Sequence, residues 1–127
     1  RPHLGPIIAT YNSRSSGNLD GLAQGVPNKG IDISGQIGDP IFAAADGEVV
    51  YAGNGLLGYG NLVIINHNEH YLSAYAHNRS ILVKEGQIIK IGQKIAEMGS
   101  SESQQTKLHF EIRRDGQPVD PLKYLPK

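Results

Sequence analysis

The chain has 127 residues, 12 of them basic and 12 acidic, so its formal net charge at pH 7 is zero. This balance excludes the strongly basic surface by which proteins bind nucleic acid. The absence of cysteine excludes a disulfide framework and a cysteine-ligated zinc site. A chain of this length buries enough surface for one core and too little for two, so we expect one domain over residues 1–127, with residues 1–6 as a linker remnant.

Two features bear on where the chain resides. Its apolar stretches, such as residues 62–65, are far shorter than the ~18 residues that a membrane-spanning helix needs. The start at Arg1, without a methionine or an apolar leader, indicates a fragment of a longer protein. Any membrane attachment is therefore expected from a segment outside these residues.

Turn signals divide the chain into short extended segments. Residues 7–11 form the first predicted strand, and later apolar runs are separated by short polar turns. An aspartate-glycine pair between apolar runs is typical of a tight hairpin turn, because both central residues of that turn need a positive φ. These signals predict three hairpins, which turn at residues 46–47, 67–70 and 115–116.

Frequent glycines in the sequence leave little room for a helix. Glycines interrupt residues 83–98 before any apolar run reaches helical length, and only residues 121–125 are expected to form a terminal turn. Residues 12–24 and 100–107 carry almost no core-forming side chains and are predicted to be surface loops. The predicted fold class is all-β, a compact antiparallel sheet with little helix.

Polar side chains alternate with apolar ones near the end of the chain. Successive side chains of a strand face opposite sides, so Leu108, Phe110 and Ile112 are predicted to face the core. The other face then carries a charged row of Lys107, His109, Glu111 and Arg113.

The same count applied to the earlier strand puts Ser73, Tyr75 and His77 on one side, and it allows both His77 and His109 to leave the core. A solvated or singly hydrogen-bonded histidine is the plain alternative for each of them. Asp32, between Ile31 and Ile33, is predicted to point away from the core. It needs a partner there, unless it only caps a turn or pairs with Lys29.

Six ordered motifs resemble one protein family. They are NKGIDIS, AADGEVVYAG, GYGNLVIINH, YAH, VKEGQIIKIGQKIAEMG and LHFEIRRDGQPVDP, which begin at residues 28, 44, 58, 75, 83 and 108. Their order and spacing are similar to those of the lysostaphin-type, or LytM-domain, zinc metallopeptidases. The resemblance extends over nearly the whole chain and implies a β-sheet peptidase fold with a substrate groove.

Two positions depart from the zinc site of that family. The resemblance places Asn28 where the first metal-binding histidine belongs, and Lys107 where the first histidine of an H-x-H motif belongs. Asp32 and His109 match the remaining metal ligands, and His77 matches a catalytic histidine. An amide oxygen is a poor replacement for an imidazole, and an ammonium beside a dication is unfavourable. We therefore expect no metal, no cofactor and no catalytic residue in this chain.

Degenerate members of the family give the best match, namely the lipoprotein murein hydrolase activators. This resemblance implies a periplasmic domain of an outer-membrane lipoprotein that cleaves nothing. It would activate an N-acetylmuramoyl-L-alanine amidase (AmiC-like) in cell separation, and its lipid anchor would lie outside this chain. An active zinc endopeptidase and a silent peptidoglycan-binding module remain as alternatives. The predicted partner-binding groove consists of Asn28, Asp32, Tyr59, Tyr75, His77, Lys107 and His109.

Overall fold

The computed structural model describes residues 1–13 and 27–125. Short strands dominate these residues, as the frequent turn signals predict, and the one helical element is a single 3-10 turn near the end of the described chain. The strands are β1 (Ile7–Ala9), β2 (Ile31–Ser34), β3 (Pro40–Phe42), β4 (Gly47–Gly53), β5 (Asn61–Asn66), β6 (Tyr71–Ile81), β7 (Ile88–Ile89), β8 (Lys94–Met98), β9 (Lys107–Arg114) and β10 (Gln117–Val119), and the 3-10 helix is Pro121–Lys123.

The strands form one sheet in which neighbours run antiparallel. The order along the sheet is β1-β2-β9-β6-β5-β4-β7, while β10 pairs with β9, and β8 pairs with β3 and β6. The predicted all-β antiparallel class is confirmed. Strands β6 and β9 lie at the centre, where each has neighbours on both sides. Within the described ranges, no helix is long and apolar enough to cross a membrane.

Two of the three predicted hairpins are present. Strands β5 and β6 pair across the turn at residues 67–70, and β9 pairs with β10 across Asp115 and Gly116. Asp115 and Gly116 have φ values of 50° and 83°, which match the paired positive angles of a type I′ turn. These turns fix the register of the central strands.

The predicted hairpin at Asp46 and Gly47 is wrong. The flanking strands exist, but β3 pairs with β8, and β4 pairs with β5 and β7. Asp46 instead joins other parts of the sheet, because its carboxylate accepts from the Ile91 N–H at 2.7 Å and its carbonyl oxygen contacts His67 Nδ1 at 2.6 Å. Gly47 is needed for close approach, since a Cβ there would lie 2.5 Å from the Asn66 carbonyl oxygen.

The main core lies on one face of β6 and β9. Tyr75 and Phe110 pack with ring centroids 5.2 Å apart, and neither is exposed to solvent. Leu108 and Ile112 extend this face as the alternation predicts. The opposite face of the same strands carries Ala74 and Ala76, whose small side chains leave room for a groove.

Residues 1–6, where the sequence predicts a linker remnant, are joined to the domain by hydrogen bonds. The Pro2 carbonyl oxygen accepts from the Phe42 N–H at 2.9 Å, and the Pro6 carbonyl oxygen accepts from the Ser34 N–H at the same distance. His3 Nε2 lies 3.0 Å from an Asp39 carboxylate oxygen. Most of the predicted loop at residues 12–24 lies outside the described residues. In the other predicted loop, residues 100–107, the chain forms turns and bends up to Thr106, and Lys107 already begins β9.

Candidate functional site

Strand pairing brings polar side chains of β2 and β9 to one face, beside small side chains of β6. Asp32 of β2 lies opposite His109 of β9, and His109 lies opposite Ala76 of β6. Glu111 lies opposite Ala74 in the same register. Directly opposite residues of antiparallel strands share a face, so the two carboxylates and the imidazole project into the groove that the alanines leave open.

Five ionisable side chains in the groove floor form a continuous series, which we call the charge chain. Lys107 Nζ donates to Asp32 Oδ2 at 3.2 Å, and Asp32 Oδ1 lies 2.6 Å from His109 Nδ1. His109 Nε2 lies 2.8 Å from Glu111 Oε2, and Arg113 Nε donates to Glu111 Oε1 at 2.8 Å. Cations and anions therefore alternate along the floor, and each carboxylate lies between two cations.

The surroundings of His109 favour its doubly protonated form. Burial acts to lower the pKa of His109, but its hydrogen bonds to Asp32 and Glu111 raise that pKa to about 9. Both ring nitrogens then donate, one to each carboxylate. Burial acts to raise the pKa values of Asp32 and Glu111, yet contact with His109 and a second cation leaves both below their ordinary values. At neutral pH the charge chain has three cations and two anions.

His77 reaches the groove by an unpredicted route. Strict alternation would place its ring on the core face with Tyr75, but His77 has a φ of 68°, which reverses the alternation at this residue. Its ring centroid lies 6.1 Å from that of His109. His77 Nδ1 donates to the Ser101 carbonyl oxygen at 2.7 Å, so Nε2 keeps its lone pair. Burial lowers the pKa of His77, which favours this neutral form.

Tyr59 covers one side of the charge chain. Its hydroxyl donates to Glu111 Oε2 at 3.0 Å, and its ring centroid lies 6.2 Å from that of His109. Its carbonyl oxygen accepts from the His77 N–H at 2.9 Å. Burial, together with the negative charge of Glu111, raises the pKa of the Tyr59 phenol, so its hydroxyl remains a donor.

Tyr75 does not belong to the groove, contrary to the prediction. It is fully buried in the main core, where its hydroxyl accepts from the Ala44 N–H at 2.9 Å and from Ser73 Oγ at 2.8 Å. Burial raises the pKa of Tyr75 to about 12. The prediction failed because it placed Tyr75 and His77 on the same face, and the positive φ of His77 separates them.

Asn28 lies just before β2 and is partly buried. Its side-chain oxygen accepts from the Gly30 N–H at 3.1 Å, which is a local turn contact. Its backbone N–H donates to the Ser13 carbonyl oxygen at 2.9 Å. The side-chain oxygen of Asn28 is therefore used to shape the entry to β2.

Sequence reasoning missed three residues of the site. Glu111 and Arg113 belong to the predicted charged row but not to the predicted groove, although their alternation with His109 is a signal for them. Ser101 contributes through its backbone carbonyl, and its hydroxyl donates to the Asn78 carbonyl oxygen at 2.6 Å. A pattern of side chains in the sequence does not predict the role of a backbone carbonyl.

The residues present do not fit the zinc ion that the family resemblance implies. Both ring nitrogens of His109 face carboxylates, and Lys107 places an ammonium on Asp32, where a metal would need a free ligand. Across residues 1–13 and 27–125, no three histidine, aspartate or glutamate side chains form a group that could hold a metal ion.

Comparison with known proteins gives consistent matches. The model of "Peptidase family M23" matches residues 26–121. The chain is 60% identical over 125 residues to a Pseudomonas aeruginosa protein named "Lipoprotein NlpD/LppB homolog", covering 97% of this chain and 42% of that protein. It is 55% identical over 126 residues to the Escherichia coli "Murein hydrolase activator NlpD", covering 99% of this chain and 31% of that protein.

Solved structures agree with the fold. The catalytic domain of lysostaphin from Staphylococcus simulans superposes with a TM-score of 0.84 at 26% identity, covering 94% of this chain and 91% of that one. The resemblance to lysostaphin-type peptidases, and within them to lipoprotein murein hydrolase activators, is confirmed. The chain spans less than half the length of the two relatives named above.

Proposed function

The chain belongs to peptidase family M23, and we propose that it is a non-catalytic activator of a peptidoglycan hydrolase. Its partner would be a periplasmic N-acetylmuramoyl-L-alanine amidase, AmiC-like, acting in cell separation. The name of the Escherichia coli relative supports the activator role. The groove that holds substrate in active peptidases would instead hold a segment of the amidase.

The charge chain is the observation that carries this proposal. Lys107 donates to Asp32 within the groove floor, and both ring nitrogens of His109 are occupied by carboxylates. This floor is ordered by internal ion pairs, so it keeps a defined shape without a metal. A defined, polar, partly buried groove suits hydrogen bonds and charge-assisted pairs with a protein segment.

An active zinc endopeptidase is the main competing function. Catalytic zinc usually has three protein ligands and one exchangeable water. Here Asn28 is engaged in a local turn, and Lys107 neutralises Asp32. We expect purified protein to contain far less than one zinc per chain by elemental analysis. About one zinc per chain, retained after mild chelation, would favour the endopeptidase.

We place this activator in the periplasm as one domain of a longer lipoprotein. The names of its relatives, which include an outer membrane antigenic lipoprotein from Haemophilus influenzae, support an envelope location. Residues 1–127 would then be a single functional unit, attached through a lipid anchor elsewhere in the full protein. Direct binding to peptidoglycan would be a secondary property of the same groove.

The test is reconstituted amidase activation. The purified domain, an AmiC-like amidase and dye-labelled peptidoglycan are combined, and dye release is compared with each protein alone. The domain alone should release nothing, whereas the mixture should release dye faster than the amidase alone. Equal release with and without the domain would contradict the activator role.

A variant pair ties activation to the groove. Tyr59→Ala removes a half-buried aromatic side chain beside the charge chain, and we expect activation to fall by about tenfold or more. Tyr124→Ala is the control, because Tyr124 is 45% exposed and contacts Tyr71 instead. Both variants should stay folded by circular dichroism. Normal activation by Tyr59→Ala would exclude the groove as the docking surface.

A further inference from the structure

An apolar cavity adjoins the charge chain. Its volume is about 290 Å³, and aliphatic side chains from β5, from β6 and from the connection before β5 form most of its wall. A cavity of roughly 150 Å³ with such a wall already admits a benzene-sized group. This one has room for a large aliphatic or aromatic side chain. Its apolar lining residues are Leu56, Leu62, Ile64, Leu72 and Ala74.

One end of the cavity is charged. Glu111 and Arg113 line it together with Tyr59, and Glu111 is already paired with His109 and Arg113. The Arg113 side chain remains 27% exposed. The charge chain carries one excess positive charge at neutral pH, and Arg113 is its terminal cation on the cavity side. The electrostatic complement of this end is a carboxylate.

The edge of the cavity also exposes apolar surface. Leu56 lines the cavity, and the next residue, Leu57, is 94% exposed. The same connection carries Tyr59, whose carbonyl oxygen accepts a hydrogen bond from the His77 N–H. Two adjacent leucines facing solvent beside an apolar cavity add contact area that a protein partner would bury.

From these features we infer that the cavity is the anchor site of the groove, which takes one large apolar side chain of a protein partner while Arg113 pairs with an acidic residue near it. The anchor rests on the proposed activator function, because it specifies which part of the amidase segment is gripped. The aliphatic wall disfavours a sugar, whose hydroxyl groups would lose their hydrogen bonds to water there. The carboxylate adds orientation through a charge-assisted pair.

Affinity measurements with matched variants test the anchor. The probe is a purified AmiC-like amidase, titrated by calorimetry at two salt concentrations. Leu56→Ala empties part of the wall and Ala74→Leu fills the floor, and each should weaken binding about tenfold. The control is Leu82→Ala, since Leu82 is 49% exposed and does not line the cavity. Its affinity should equal that of the wild type.

A second pair of variants tests whether the partner supplies a carboxylate to Arg113. Arg113→Gln should weaken binding about tenfold and reduce its salt dependence, because the ion pair with the partner is lost. Arg114→Gln is the control, since Arg114 is adjacent in β9 but lies over the Tyr71 ring, 5.9 Å from its centroid. An unchanged salt dependence in Arg113→Gln would overturn the acidic half of the inference.

The outcomes separate the anchor from the activator function. If the wild type activates the amidase while Leu56→Ala and Ala74→Leu bind it normally, the anchor is wrong and the activator function stands. If the wild type neither binds nor activates, both are wrong. Muropeptides that compete with the amidase for wild-type protein, but not for Ala74→Leu, would assign the cavity to peptidoglycan and overturn the protein anchor.

Cross-linking identifies the occupant. A benzophenone amino acid introduced in place of Ile64, which lines the cavity, is irradiated in the complex, and the linked amidase peptide is found by mass spectrometry. The expected peptide has a large apolar residue at the link and an aspartate or glutamate within about one helical turn, the spacing that lets both side chains face the same surface. A peptide with no nearby carboxylate would contradict the inference.

Discussion

Strands β6 and β9 present two faces that are built on different principles. On one face Tyr75, Leu108 and Phe110 are fully buried and pack by shape, so their contacts are short-range and carry no net charge. On the other face small alanines stand beside Asp32, His109 and Glu111. On that face ion pairs, rather than close packing of large side chains, hold the side chains in place.

The difference predicts how each face fails. A packed apolar face loses stability in proportion to the volume removed, whatever the pH or the salt concentration. A chain of alternating charges loses stability when one member is deleted, because its neighbours stay buried with one ion pair fewer. Removing two neighbours of opposite charge together should cost much less. Four changes distinguish the two behaviours.

The largest effect is expected on the packed face. Phe110→Ala removes a fully buried ring that packs on Tyr75, so we expect the free energy of unfolding to fall by about 3 to 5 kcal/mol. Urea unfolding measures it, and the loss should be the same at low and high salt. A loss under about 1 kcal/mol would mean that this face tolerates a cavity.

Deleting a central anion should be the next most costly change. Asp32→Ala leaves Lys107 and His109 without their shared carboxylate, and we expect a loss of about 3 kcal/mol in the free energy of unfolding. Adding Lys107→Met to Asp32→Ala should recover at least half of that loss, since an apolar side chain replaces an ammonium that has lost its ion pair with Asp32. If the double variant loses as much free energy of unfolding as the two single variants added together, Asp32 and Lys107 are not energetically coupled.

The pH dependence of stability should come from the charged face. The folded pKa of His109, about 9, lies above its ordinary value of 6.5, so the folded state holds this proton more tightly. Its stabilising contribution is therefore complete below pH 6.5 and is lost as the pH rises through 9. We expect a loss of about 2 kcal/mol across this window.

Thermal unfolding from pH 6 to 10 measures that loss. His109→Gln should flatten the curve, whereas Ile112→Val, on the packed face of the same strand, should lower stability at every pH without changing the slope. If the slope persists in His109→Gln, another group dominates the titration.

The smallest effect is expected at the border of the charged face. Tyr59→Phe removes the hydroxyl that donates to Glu111 Oε2 while keeping the ring beside His109. One hydrogen bond to a carboxylate that retains two other partners should be worth about 1 kcal/mol. Chemical denaturation of both proteins side by side measures it. A loss above about 3 kcal/mol in the free energy of unfolding would show that the charge chain depends on this hydroxyl.

The sequence was most informative where structure is local. The Asp115-Gly116 turn and the alternation along β9 were predictable, since turn geometry and strand period act over a few residues. The hairpin predicted at Asp46 and Gly47 is wrong because the pairing of the flanking strands depends on residues far along the chain. Asp46 accepts from the Ile91 N–H, and Gly47 lies close to the Asn66 carbonyl oxygen. A local signal cannot report which distant strand competes for pairing.

The site was predictable in part for the same reason. Lys107 and His109 follow from the strand period, and the family motifs join Asp32 to them. The reversal at His77 has no local signal, because a positive φ in a residue other than glycine is held in place by surrounding contacts such as the Ser101 carbonyl. That one angle moves the His77 ring from the core face, which Tyr75 occupies, into the groove.

The ammonium of Lys107 has a consequence for how the charge of the groove is maintained. A zinc ion is lost to chelators and depends on supply, whereas a lysine side chain is installed during translation and cannot be exchanged. The positive charge that faces Asp32 therefore does not depend on a dissociable ion, because Lys107 is covalently part of strand β9. That charge is in place as soon as the chain has folded.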